Sequence, residues 1–176
     1  MPQRALIELL RGQGAHVDPL ACIEDLSAEI AARQVAGFPH SVAQLVFHMN
    51  YWMNYELRRI RGERPVYPDH NSESFPPAPS PADAQDWNRL RTFFTELLSD
   101  FAALANSSPQ EMQRQIETAH EADKKVAGTL EAILWQMVAH NSYHTGQIAT
   151  IRRMLGAWPP HGQEMRGRKP SLVASP

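Results

Sequence analysis

The sequence predicts an all-α protein folded as a four-helix bundle. Three observations carry this. Several long segments repeat apolar residues at steps of three and four, the spacing of one helix face. Proline falls mostly between these segments or at their first positions rather than inside them. No stretch alternates apolar and polar residues in the way a half-buried strand does, so helices must bury one another.

Residues 3–11 read as a short helix through Leu6, Leu9 and Leu10, broken by Gly12 and Gly14. Asp18-Pro19 restarts a helix carrying Leu20, Ile23, Leu26 and Ile30. The spacing leaves open whether it runs to Arg33 or breaks near Ser27. The next helix spans 41–61. Ser41 and Gln44 form a capping box, and Val42, Leu45, Val46, Met49, Trp52, Met53, Leu57 and Ile60 give the apolar face. Gly62 and Pro65 stop it.

From 62 to 81 the chain has no period and six of its prolines. This long Pro-rich connection, between the second and third main helices, is too long for a simple hairpin. Connections of this length are commonly functional covers or disordered links. In a bundle it can also be the crossover that lets two neighbouring helices run parallel.

Residues 82–105 carry Trp87, Leu90, Phe94, Leu97, Phe101 and Leu104 in one stripe. Ser80 is expected to cap this helix, with Pro81 in its first position and Asp83 at the positive end of its dipole. Ser108 and Glu111 open a short helix over 109–116. Residues 116–127 have no clear period. The last helix spans 129–155, with Leu130, Ile133, Leu134, Met137, Val138, Ile148, Ile151 and Leu155 on one side. Gly156 sits where a left-handed residue belongs, and Pro159 follows. The expected organisation is one domain over 1–160 and a loosely ordered tail over 161–176.

Composition narrows the function. A net charge of −2, from 17 basic and 19 acidic residues, argues against a general binder of nucleic acid or anionic membrane. No apolar run reaches the roughly 18 residues of a membrane span. The start, MPQRALIELLRGQG, is too short and interrupted in its apolar stretch for a signal peptide. The single cysteine, Cys22, excludes an intrachain disulfide and a Cys-rich metal site and suits the cytoplasm.

The eight histidines are the other notable count. His140 and His144 are four apart, about 40° around a helix axis and within about 5–6 Å at Cβ. Spacing alone carries little, since random placement gives about 0.36 pairs of this H-x₃-H kind, one helical turn apart. Position says more. Met137, His140, His144, Ile148 and Ile151 step by three and four, so both rings lie on the apolar stripe. His48, between Leu45 and Trp52, lies on the stripe of another helix. Three imidazoles thus face one interior. Buried histidines each held by a single hydrogen bond would leave ring nitrogens wanting partners. A divalent ion satisfies three nitrogens at once. Three neutral imidazoles suit zinc, nickel or iron(II), with a position left open for water or substrate. H-E-x-x-H is not present: Asn141 follows His140, and the spacing differs.

At this point SVAQLVFHMNYW and MVAHNSYHTGQIATIRRMLGAWPP resemble the DinB-like superfamily of four-helix-bundle metalloproteins. The H-x₃-H-x-G-Q run, in a helix ending in L-G, is the more specific element. GAHVDPLACIEDLS and GFPHSVAQLVFHM are similar to one bacterial branch. The match runs in order to about residue 160. The resemblance implies that His48, His140 and His144 bind the metal and that the protein is a homodimer. Characterised relatives include thiol S-transferases that use bacillithiol or mycothiol and a mycothiol-dependent isomerase. It therefore implies a metal that binds a low-molecular-weight thiol and favours its thiolate.

Gln147, one turn past His144, is positioned to orient a ligand or bound water, and the competing role is a polar contact between helices. Tyr51, Trp52 and Tyr55 are candidates for a pocket wall, against a plain core role. Asn141 and Tyr143 are candidates for hydrogen bonds to the imidazoles. His16 and His40 stand at helix entrances, where loop contacts compete with a place at the pocket edge. His70, His120 and His161 read as surface residues, and Cys22 as a small buried apolar one. Arg152, Arg153, Arg166, Arg168 and Lys169 read as a solvated basic face that could attract an anionic thiol.

Three functions compete. One is a metal-dependent S-transferase acting on small-molecule electrophiles. A second is a metal-dependent hydrolase in which water is activated. No carboxylate base stands close in sequence: Glu56 and Glu131 are both more than two turns from the histidines. A third is a non-catalytic metal- or small-ligand-binding stress protein.

Overall fold

The computed structural model describes residues 2–76, 80–117 and 128–161. Seven α-helices are formed among them: α1 (Pro2–Leu10), α2 (Ala21–Glu24), α3 (Ala28–Ala32), α4 (Val42–Ile60), α5 (Ala84–Ala105), α6 (Pro109–Met112) and α7 (Leu130–Met154). A 3₁₀ turn occupies Asn71–Ser74. Among the described residues the β-type pairing is one isolated antiparallel bridge between Gln115 and Thr129.

The bundle is built by α1, α4, α5 and α7. Helix α4 packs on α5 and α7, and α1 packs on the same two from the other side. Leu6 and Leu10 of α1, Met49 and Met53 of α4, Phe94 and Phe101 of α5, and Leu134 and Ile151 of α7 fill the centre. Asn50 Nδ2 donates to the Leu90 carbonyl, and Arg61 meets Asp100 further along both helices. Pairing at 50/90 and again at 61/100 means that α4 and α5 run parallel. The connection after α4 is therefore a crossover. Helix α7 runs antiparallel to α4, since His48 lies beside His144, Met53 meets Asn141, and Trp52 and Arg59 share a hollow with Gln136. No helix among the described residues is long and apolar enough to cross a membrane.

Several start and stop signals act as expected. Ser41 and Gln44 cap α4 reciprocally, and Gly62 and Gly156 adopt positive φ beyond α4 and α7. Of the two courses left open after Asp18, the chain takes the broken one, and the Ser27 hydroxyl caps α3 by accepting from Ile30 N. Others differ. Ser80 does not cap α5. Asp83 accepts from Asp86 N instead, so α5 begins at Ala84, beyond Pro81. The helix expected over 109–116 ends at Met112, because Arg114 and Ile116 turn to pair with Leu130 and Gly128. Residues 162–176, and with them Arg166, Arg168, Lys169 and nearly all of the tail, lie outside the described residues, as does His120.

Arg152 departs most from a solvated basic face. It is 1 % exposed and forms a two-pronged pair with Asp25, at 2.7 and 3.0 Å. It also donates to the carbonyls of Cys22 (2.6 Å) and Ala157 (2.8 Å). Burial alone would raise the Asp25 carboxyl, but Arg152 and the His161 N–H hold it below its usual range. One side chain thus ties α2 and the turn after α7 to the bundle. Arg153 stacks over Trp158 at 4.2 Å. Arg152 is thus committed to the fold, while Arg153 stays exposed beside that ring.

Removing the half-buried Asp25 leaves the buried Arg152 charge without its carboxylate. Asp25→Ala is expected to lower unfolding free energy by about 3–5 kcal/mol in urea titrations. The double variant Asp25→Leu/Arg152→Met is expected to recover part of that loss. Equal stability of Asp25→Ala and the parent would refute the role assigned to the pair.

Candidate metal centre

Helices α4 and α7 bring His48, His140 and His144 together across their antiparallel seam. His48 and His144 are buried, and His140 is half-buried. One nitrogen from each ring falls in a group whose members all lie within 4.8 Å of one another. His48 Nε2 and His140 Nε2 are 3.2 Å apart. Ligands about 2.0–2.1 Å from one zinc ion at tetrahedral angles stand roughly 3.3–3.4 Å from each other. The spacing fits a shared ion.

The hydrogen bonds place the proton on two of the three rings. Ser74 Oγ donates its own proton to the Asn71 carbonyl at 2.6 Å. It must therefore accept from His48 Nδ1–H, at 2.8 Å. His144 Nδ1–H donates to Gln147 Oε1 at 2.7 Å. His140 Nδ1 faces Asn141 Oδ1 at 3.4 Å, a longer contact. With their protons on Nδ1, His48 and His144 keep Nε2 as an acceptor, and His140 Nε2 stands 3.2 Å from that of His48. Three neutral imidazoles supply too few donors for this many ring acceptors. A divalent ion would accept one nitrogen from each ring, so the residues fit the metal expected from the sequence.

Burial and the neighbouring imidazoles push His48 down to about 3. Burial and His144 push His140 down to about 4. Burial also lowers His144. The rings are neutral at pH 7, the form that binds metal.

The long connection supplies part of the site. Ser74 is fully buried at the end of the 3₁₀ turn. Phe75 stacks on His48 at 4.1 Å and on His40 at 3.7 Å, a sandwich of three flat rings. His40 thus lies near the trio through Phe75, with its Nδ1 buried and unpartnered. His16 lies elsewhere in the network, donating to the Val17 carbonyl and meeting Ser142 Oγ at 2.9 Å. It pins the first loop to α7.

Beside the trio is a cavity of about 230 Å³. Trp52, Tyr55 and Tyr67 form one wall, Met137 and His140 contribute from α7, and Glu56 and Arg59 are also in the lining. Trp52 and Tyr55 therefore stand where a pocket wall was expected. Tyr51 does not line the cavity and instead packs edge-on against Trp52. Gln147 holds the His144 ring and donates to Tyr143 Oη at 3.1 Å. Tyr143 touches His144 edge-on and is largely exposed. Asn141 donates to Met53 Sδ. His70 and His161 are exposed. Burial raises the Cys22 thiol to about 12, so it packs as an apolar residue. Sequence reasoning missed Ser74, Phe75 and Tyr67. Their one signal is that they fall in an unusually long connection.

The family model described as "DinB family" matches residues 9–169. No curated protein and no solved structure matches the chain.

Two predictions follow from the imidazole trio. Below about pH 6.5 an unfolded histidine takes up a proton that the folded site refuses. The metal-free protein is therefore expected to lose stability as pH falls from about 6.5 toward 4. His48→Gln is expected to flatten that slope in urea titrations, and an unchanged slope would count against it. Ser74→Ala removes the partner that orients His48 and is expected to weaken zinc binding about 10–100-fold, with helix content retained. Competition with a chelator of known affinity would measure this.

Proposed function

The chain belongs to the DinB family, and from that premise we propose that it is a metal-dependent transferase. Its three imidazoles hold a divalent zinc, nickel or iron(II) ion, and its reaction joins a low-molecular-weight thiol to a small electrophile. The observation supporting this is the convergence of three imidazoles, with one nitrogen from each within 4.8 Å of the others and the Nδ1 atoms of His48 and His144 held by Ser74 and Gln147. A bound ion with an open position would favour the thiolate of a thiol that reaches it. The chain's own groups do the positioning. Ser74 and Gln147 fix two of the rings, and Phe75 covers His48. Cys22, buried and protonated, cannot be the nucleophile, so the sulfur comes from a partner molecule. In the transfer the sulfur electron pair forms the new S–C bond. The leaving group departs with its bonding pair, and the thiol proton passes to solvent.

Hydrolysis is the second reading, and one observation favours it. Glu56 lines the same cavity as His140, although it is remote from the histidines in sequence. Its carboxylate is nevertheless paired with Arg59 at 2.7 Å, both side chains being buried. A carboxylate engaged with a guanidinium in this way is not aimed at a water beside the imidazoles. Thiol transfer is the better-supported chemistry.

Elemental analysis of protein purified without a metal-affinity resin is expected to find about one divalent ion per chain. Transfer of bacillithiol, mycothiol or glutathione to 1-chloro-2,4-dinitrobenzene would be followed by absorbance. His144→Ala is expected to lose metal and at least 100-fold in rate while its circular dichroism spectrum is kept. Metal-loaded protein that turns over no electrophile with any of these thiols would overturn the proposal.

A further inference from the structure

We propose that the cavity beside His140 seats a neutral aromatic ring carried by the molecule that reaches the three imidazoles. This deepens the transferase reading and rests on it. His140 belongs both to the imidazole trio and to the cavity lining. A ligand whose donor atom approaches the trio past the His140 edge thus lays its neighbouring atoms in this hollow.

The lining selects what those atoms are. Trp52, Tyr55 and Tyr67 pack with ring centroids 5.5–5.8 Å apart, one continuous aromatic wall. A further ring stacks on such a wall offset or edge-on. Met137, 2 % exposed, offers a polarisable thioether that makes favourable contacts with aromatic edges. The charges in the lining, Glu56 and Arg59, are bonded to each other. Arg59 also stands 5.8 Å from the centre of the Tyr55 ring and donates to the Glu117 carbonyl. A paired acid and base give a charged head group little net attraction, so a neutral group is favoured. Size agrees. A cavity of about 150 Å³ lined by apolar side chains binds benzene. The 230 Å³ here has room for one aromatic ring with a short linker or a small polar substituent.

The test uses full-length protein loaded with cobalt(II), whose sulfur-to-metal charge-transfer band reports thiol entry without turnover. Phenylmethanethiol and 2-mercaptoethanol, thiols of similar acidity, are titrated in parallel. Phenylmethanethiol is expected to half-saturate at a concentration at least tenfold lower. Gln136 lies exposed at the cavity rim, so Gln136→Trp can block the hollow without disturbing the core. It is expected to cut the preference below threefold and to leave the 2-mercaptoethanol midpoint unchanged. Phenylmethanol, which has the ring and no thiol, is expected to show ring signals in saturation-transfer NMR with the parent and not with Gln136→Trp.

Equal affinity for the two thiols, with no effect of Gln136→Trp, would overturn the aromatic seat and leave the transferase reading standing. No charge-transfer band with either thiol, together with ring saturation that Gln136→Trp abolishes, would overturn thiol chemistry and support the seat. Absence of both signals would overturn both.

Discussion

Three neutral imidazoles gathered in one interior set the terms for this fold. With ring nitrogens a few ångströms apart, they cannot all satisfy one another. They are held by the surroundings. The antiparallel register of α4 on α7 brings position 48 level with 140 and 144. Helices α4 and α7 pack together, and the apolar core that includes Met49, Met53, Leu134 and Met137 maintains that register. A hydrophobic seam thus carries a polar knot, and the oxygen partners on Nδ1 keep the His48 and His144 rings from turning to relieve it. The same features suit the trio to a metal: the rings are neutral, their pKa values are depressed and their nitrogens converge.

The site is not made by two helices alone. Ser74, Phe75 and Tyr67 come from a stretch with little regular structure. They contribute a proton acceptor for His48, a ring against its face and part of the cavity wall. The helices supply the ligands and their spacing, and the connection supplies orientation and cover. Far from the trio, Arg152 plays a comparable part for the architecture. It spends its charge on Asp25 and on two carbonyls, closing the turn after α7 onto α2.

The parts legible in the sequence are those that follow from local periodicity. Ser41 and Gln44, Gly62 and Gly156 mark helix ends because capping is a short-range bargain between neighbours. His48, His140 and His144 are legible because their spacing puts them on apolar stripes. What stays hidden depends on contacts between distant residues. Nothing near Ser74 announces that a histidine 26 residues earlier needs its oxygen. Glu56 looks remote from His140 until the antiparallel seam sets them around one hollow. Arg152 looks like one of several surface cations, and only the fold supplies Asp25, 127 residues away. The two short helices around Ser27 show the limit from the other side, where local spacing permits both a continuous and a broken helix and packing chooses.

The parallel course of α4 and α5 has a consequence for chain length. To begin α5 beside the start of α4, the chain has to travel back about 28 Å, the length of a 19-residue helix. Residues 61–83 are available for the journey, and fully extended they would reach about 75 Å. More than half of that contour is slack. A shorter, tauter return would close the bundle equally well and leave His48 open on one face. The slack is where Tyr67, Ser74 and Phe75 reside, so the chemistry of this site depends on length that the architecture does not require.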